Sequence, residues 1–102
     1  MDVFPKFIVE DGNLIVAKCT YHKELICDKD KMQGGGWWRV KDRTMTFYGE
    51  SYDFGPASLE DIQKAVAEGK VYSNPSCSYS IVDRYEFQYD TQSEIIPLLK
   101  SN

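Results

Sequence analysis

The chain has 102 residues, 42% of them hydrophobic and 27% charged, which suits one folded domain and excludes both a two-domain and a disordered chain. Its formal net charge of −4 excludes a polyanion held through many phosphate contacts, so no nucleic-acid partner is expected, while one small anion bound by local geometry is permitted. No stretch approaches the ~20 apolar residues of a membrane span, no basic leader precedes an apolar run, and Cys19, Cys27 and Cys77 lack Cys-x-x-Cys spacing; the expected setting is a cytoplasmic monomer with reduced thiols and no membrane, metal or cofactor.

Phe4 to Val9 is short, apolar and β-prone. Asp11-Gly12 is a turn signal, and Leu14 to Ala17 is apolar again, so the segment predicts a hairpin. Pro5 cannot donate to a ladder, which places the first strand at an edge or starts it after Pro5. Leu25, Ile26 and Met32 lie among charged residues and predict a helix over Tyr21 to Gln33, with Thr20 as N-cap and a solvated Lys/Asp face at 28 to 31. Gly34-Gly35-Gly36 must end that helix. Trp37 to Val40 and Met45 to Tyr48 predict two strands joined around Lys41-Asp42-Arg43, with Trp38 and Val40 on one face and Met45 and Phe47 on another.

Gly49 to Gly55 reads as a loop. Ser58-Leu59-Glu60-Asp61 has the capping pattern, Ile62 and Val66 supply an apolar stripe, and Gly69 stands where a C-cap glycine belongs, so a helix is predicted there. Asn74-Pro75 marks a loop, and Tyr79 to Tyr89 is strand-like, with Tyr85, Phe87 and Tyr89 alternating. Glu94 to Lys100 predicts a short tail helix with Pro97 in its first turn. Together these predict an α+β fold: a single antiparallel-rich mixed sheet of about six strands flanked by two or three helices. The 14% aromatic content agrees with a sheet-rich chain.

Three pieces can carry chemistry. His22, the single histidine, falls in the first turn of the expected helix, where free amides and the dipole attract anions and oppose protonation of the ring. Gly34, Gly35 and Gly36 read either as a flexible turn into a strand or as a close approach of backbone to a ligand. In the loop Tyr48-Gly49-Glu50-Ser51-Tyr52-Asp53-Phe54-Gly55, backbone amides and the Ser51 hydroxyl could bind phosphoryl oxygens.

The order of these pieces resembles the protein histidine phosphatase family, which includes the janus and ocnus proteins. The matching residues are Tyr21-His22, Gly34-Gly35-Gly36 and Tyr48-Gly49-Glu50-Ser51-Tyr52-Asp53-Phe54-Gly55-Pro56-Ala57, and the resemblance runs from about Val3 to Val82. It implies a sheet flanked by helices and a metal-independent phosphatase acting on phosphohistidine. On that resemblance His22 is the catalytic residue, and Lys6, Tyr21, the three glycines, Ser51, Tyr52 and Asp53 hold the phosphoryl group. The substrate would be a phosphorylated protein or a small phosphoramidate.

Two residues depart from the family's pattern: Trp37 stands where its well-known members have arginine, and Asp53 where a small neutral residue is expected. Residues 90–102 form an extension beyond the pattern. These departures keep a second expectation open, a non-catalytic phosphate-, anion- or protein-binding module on the same fold.

Overall fold

Phe4–Glu10 (β1) and Asn13–Cys19 (β2) form the expected antiparallel hairpin. Asp11 and Gly12 turn it with φ of +50° and +80°, a left-handed pair whose twist matches that of the flanking strands. In this computed structural model, which describes residues 3–73, 81 and 84–98, a second hairpin joins Met32–Lys41 (β3) to Thr44–Tyr48 (β4). A helix, Leu59–Ala67 (α1), is followed by Val71–Ser73 (β5), Glu86–Asp90 (β6) and Ile95–Pro97 (β7). The strands make one seven-stranded sheet in the order β5-β2-β1-β3-β4-β6-β7. β5 runs parallel to β2 and β6 parallel to β4, while all other neighbours are antiparallel. The α+β class holds, with one strand more and fewer helices than expected. The expected loop at Asn74-Pro75 and the start of the strand-like stretch at Tyr79 lie outside the described residues.

β1 sits in the middle of the sheet, not at an edge. Phe7, Ile8 and Val9 are all fully buried, as a strand covered on both faces requires. Pro5 opposes Lys18 of β2, and pairing with β3 starts only at Lys6, so on that side the proline interrupts no ladder. In the second hairpin Trp38 opposes Phe47 and Val40 opposes Met45. Directly opposed residues of an antiparallel pair share a face, so these four lie on one face, not two as expected.

That face carries the main core. Phe7, Val9, Leu14, Val16, Phe47 and Phe87 meet Ile62, Ala65 and Val66 of α1. The helix forms as predicted: the Ser58 hydroxyl accepts the Asp61 amide at 3.1 Å, and the Lys70 amide reaches back to the Ala65 carbonyl at 2.8 Å past Gly69. The tail does not form the expected helix. Ile95–Pro97 pairs with β6, Pro97 takes its place on an edge strand where a missing donor is tolerated, and Leu98 is buried in the core. Through residue 98 the expected extension is therefore part of the sheet and its core.

The opposite face of β1 presents Lys6, Ile8 and Glu10, all buried. Residues 20–31 cover this face. Leu25 packs on Ile8 and Ile15, and the Glu10 carboxylate accepts the amides of Cys27 and Asp28 at 2.7 and 2.8 Å. That carboxylate is the reason the expected helix over Tyr21 to Gln33 does not form. It takes two amides that a continuous helix would need, and the chain makes only two short 3-10 turns, His22–Leu25 and Lys29–Lys31. The glycines consequently end no helix; they lie inside β3.

Candidate functional site

His22 opens the first 3-10 turn. Tyr21, not Thr20, occupies the N-cap, extended at φ −130° and ψ 143°, and its amide donates to the Glu24 carboxylate at 2.6 Å. Four residues of 3-10 structure provide almost no macrodipole, so the expected reason for a neutral His22 fails. Another replaces it. The residue is only 5% exposed, and this burial holds the imidazole below its ordinary value of 6.5, helped by the nearby Lys6 charge and opposed by the Gly36 hydrogen bond and Asp53.

The ring's protonation pattern follows from one contact. Nε2 lies 2.7 Å from the Gly36 carbonyl oxygen, which can only accept, so Nε2 carries the hydrogen and donates it. The neutral ring then has its lone pair on Nδ1, which has no partner among the described residues. The single imidazole makes this testable by NMR: its resonances are expected to titrate with a midpoint below 6.5. Because the folded-state value lies below the unfolded one, the unfolded chain binds the extra proton in the window between them. Stability is thus undiminished above pH 6.5 and declines as the pH falls from there towards the folded-state value. A midpoint above 6.5 would contradict the buried, neutral ring.

The three glycines lie in β3, Gly35 and Gly36 directly against this ring and Gly34 against the Pro56 backbone. All are buried, and each lies where a side chain would collide with a neighbouring segment. A Cβ on Gly34, whose φ is +116°, would overlap the Pro56 carbonyl; one on Gly35 would lie 2.5 Å from the Phe7 carbonyl oxygen and 3.2 Å from the His22 ring; one on Gly36 would lie 2.6 Å from the Tyr48 carbonyl oxygen. Their role in the structure is close packing of strand, loop and imidazole. The Gly35 amide is already committed, donating to the Gly55 carbonyl at 3.1 Å.

The serine loop is stitched to the same strand. The Ser51 amide donates to the Gly35 carbonyl at 3.0 Å, and the Gly55 amide donates to the Ser51 carbonyl at 2.9 Å. The Ser51 hydroxyl, also buried, accepts the Phe54 amide at 3.3 Å. The Ser51 amide is therefore not free for a ligand. The amides of Tyr52 and Asp53, at the exposed tip of this turn, have no partner among the described residues.

Lys6 completes the arrangement. It opposes Trp37 across β1 and β3, and its ammonium rests 3.7 Å from the centroid of the Trp37 ring, a stabilising cation–π geometry. It has no ion-pair partner among the described residues. The Trp37 ring also meets His22 edge-on at 6.2 Å. Lys6, Tyr21, His22, Ser51, Tyr52 and Asp53 thus line one cleft of about 660 Å³, together with Thr20, Trp37, Glu50 and Gly55. Gly34, Gly35 and Gly36 do not line it. Sequence reasoning missed Trp37 as the platform for Lys6 and missed Glu50 as a wall residue; only the pairing of Lys6 with Trp37 could have revealed the first.

Among the described residues no group of three or more His, Cys, Asp or Glu is arranged to hold a metal ion, and no helix is long and apolar enough to cross a membrane. Comparison of the chain with family models, curated proteins and solved structures found no match.

Proposed function

We propose that the cleft binds a phosphoryl group and that the chain is a metal-independent phosphatase cleaving the N–P bond of phosphohistidine, with His22 as base or nucleophile. The observation that supports this most is a buried imidazole held below its ordinary pKa by burial, in the same cleft as a buried lysine, with Nδ1 and the lysine ammonium making no hydrogen bond or ion pair among the described residues. Lys6 supplies positive charge to the phosphoryl oxygens, and the Tyr52 and Asp53 amides supply donors. Water attacks phosphorus as Nδ1 takes its proton, or Nδ1 attacks directly and water later releases the phosphoryl group. In either case the substrate's nitrogen is protonated from solvent beforehand and keeps that proton as the N–P bond breaks; the proton lost by the attacking water goes to Nδ1 in the first route and to solvent in the second. The N–P bond is labile once that nitrogen is protonated, so positioning and charge neutralisation can supply most of the acceleration. The likeness to the protein histidine phosphatase family points the same way. The proposed substrate is a phosphorylated protein or small phosphoramidate, and the proposed setting a monomer in the cytoplasm.

A second reading, an anion-binding module without turnover, is favoured by one observation: Glu50 and Asp53 set two carboxylates against a single lysine in the cleft. The exposed rings of Tyr21 and Tyr52 on its rim would suit a protein ligand of such a module. Incubation of the wild-type chain with phosphohistidine and with phosphoramidate separates the two. Release of inorganic phosphate above the uncatalysed rate supports the phosphatase, whereas saturable phosphate binding with no release selects the module.

A further inference from the structure

The charge balance of the cleft has a direction. Lys6 and His22 lie at the floor, both more than nine-tenths buried, with the lysine ammonium unpaired and Nδ1 of the imidazole unpartnered among the described residues. Asp53 and Glu50 are exposed on the wall, and neither has an ion-pair partner among the described residues. A simple phosphate dianion entering this cleft gains from Lys6 and loses to two carboxylates. A ligand that carries a positive nitrogen beside its phosphoryl group gains from both ends. Asp53 lines the same cleft as the His22 ring and Lys6, so its charge acts on a group bound against that ring.

We infer that Asp53 is the specificity-determining residue of this cleft, selecting phosphoryl compounds that carry a cationic nitrogen over plain phosphates and phosphate esters of neutral alcohols. The inference rests on the phosphoryl-binding reading of the site but not on turnover. In a hydrolysing enzyme the same carboxylate would stabilise the protonated nitrogen of the departing group. Glu50 plays the smaller part: of the two carboxylates that line the cleft, Asp53 is the one whose charge opposes the lowering of the His22 pKa.

Binding tests this without chemistry. Inorganic phosphate and O-phosphoethanolamine, which adds an ammonium to the same phosphoryl group, are titrated into the wild type and into Asp53→Asn, with the His22 ring resonances as readout. Asp53 is exposed at a turn tip and its side chain makes no hydrogen bond among the described residues, so the variant is expected to fold unchanged. The wild type is expected to prefer O-phosphoethanolamine by about five-fold, the upper end of what one solvent-exposed ion pair contributes. Asp53→Asn is expected to remove most of that preference by binding inorganic phosphate more tightly, and Glu50→Gln to reduce it less. Equal binding of the two ligands by the wild type, or an unchanged preference in Asp53→Asn, would overturn the inference while leaving the phosphoryl site standing. If neither ligand moves the His22 resonances, the site and the inference fall together.

Discussion

Substituting alanine for His22 is expected to lower phosphate release from phosphohistidine by about 10²- to 10⁴-fold, the usual contribution of a positioned acid–base group. The substitution also removes the donor to the Gly36 carbonyl, and an unsatisfied buried acceptor costs about 1–3 kcal/mol. Loss of activity through misfolding must therefore be separated from loss of chemistry. His22→Gln serves this purpose, because its amide can still donate to a carbonyl but offers no basic lone pair. Both variants are expected to be inactive, and His22→Gln to unfold nearer the wild-type urea midpoint. Added imidazole is expected to restore part of the activity of His22→Ala by occupying the vacated space. Phosphate release by a folded His22→Gln at the wild-type rate would remove His22 from the mechanism.

The second large effect is structural. Gly34→Ala is expected to destabilise the fold by about 3–5 kcal/mol, combining backbone strain at a left-handed φ with overpacking. The new methyl would meet the Pro56 backbone, not the movable end of a side chain, so the clash can be relieved only by shifting the loop that leads into α1. Gly55→Ala is the control. Its φ of +75° is also left-handed, but nothing lies within 4 Å of the added Cβ, so the penalty should be near the roughly 1–2 kcal/mol of the conformation alone. Urea unfolding of the two variants measures the difference. Equal destabilisation would mean that close packing against Pro56 contributes nothing. Stability totals only about 5–15 kcal/mol for a domain of this kind, so Gly34→Ala is a severe lesion although Gly34 does not line the cleft.

Read together, these two variants separate the groups of the cleft from the frame that aligns them. Gly35 joins the two, since its carbonyl takes the Ser51 amide while its missing side chain leaves room for the His22 ring. Any residue larger than glycine at that position would collide with the Phe7 carbonyl of β1 and press on the imidazole, without removing a group that meets a ligand.

Lys6 enters the candidate site only through the family resemblance, whereas local signals in the amino-acid order determined both hairpins, the capped helix after Ser58 and its close at Gly69, and singled out His22 and the serine loop. They did so because a turn, a cap or an apolar stripe is decided by residues within a few positions of one another. Tertiary structure decided the rest. The Glu10 carboxylate, far away in sequence, captures the Cys27 and Asp28 amides and breaks the expected helix. β6 recruits Ile95–Pro97 as a strand where the local pattern suggested a helix. The three glycines owe their identity to Pro56, Phe7 and Tyr48, each on another segment, and Lys6 meets Trp37 only because β1 pairs with β3 in that register. Hydrogen bonds and close contacts between distant segments form only when the chain folds, so the geometry of the cleft belongs to the packed molecule while its chemical groups belong to the sequence.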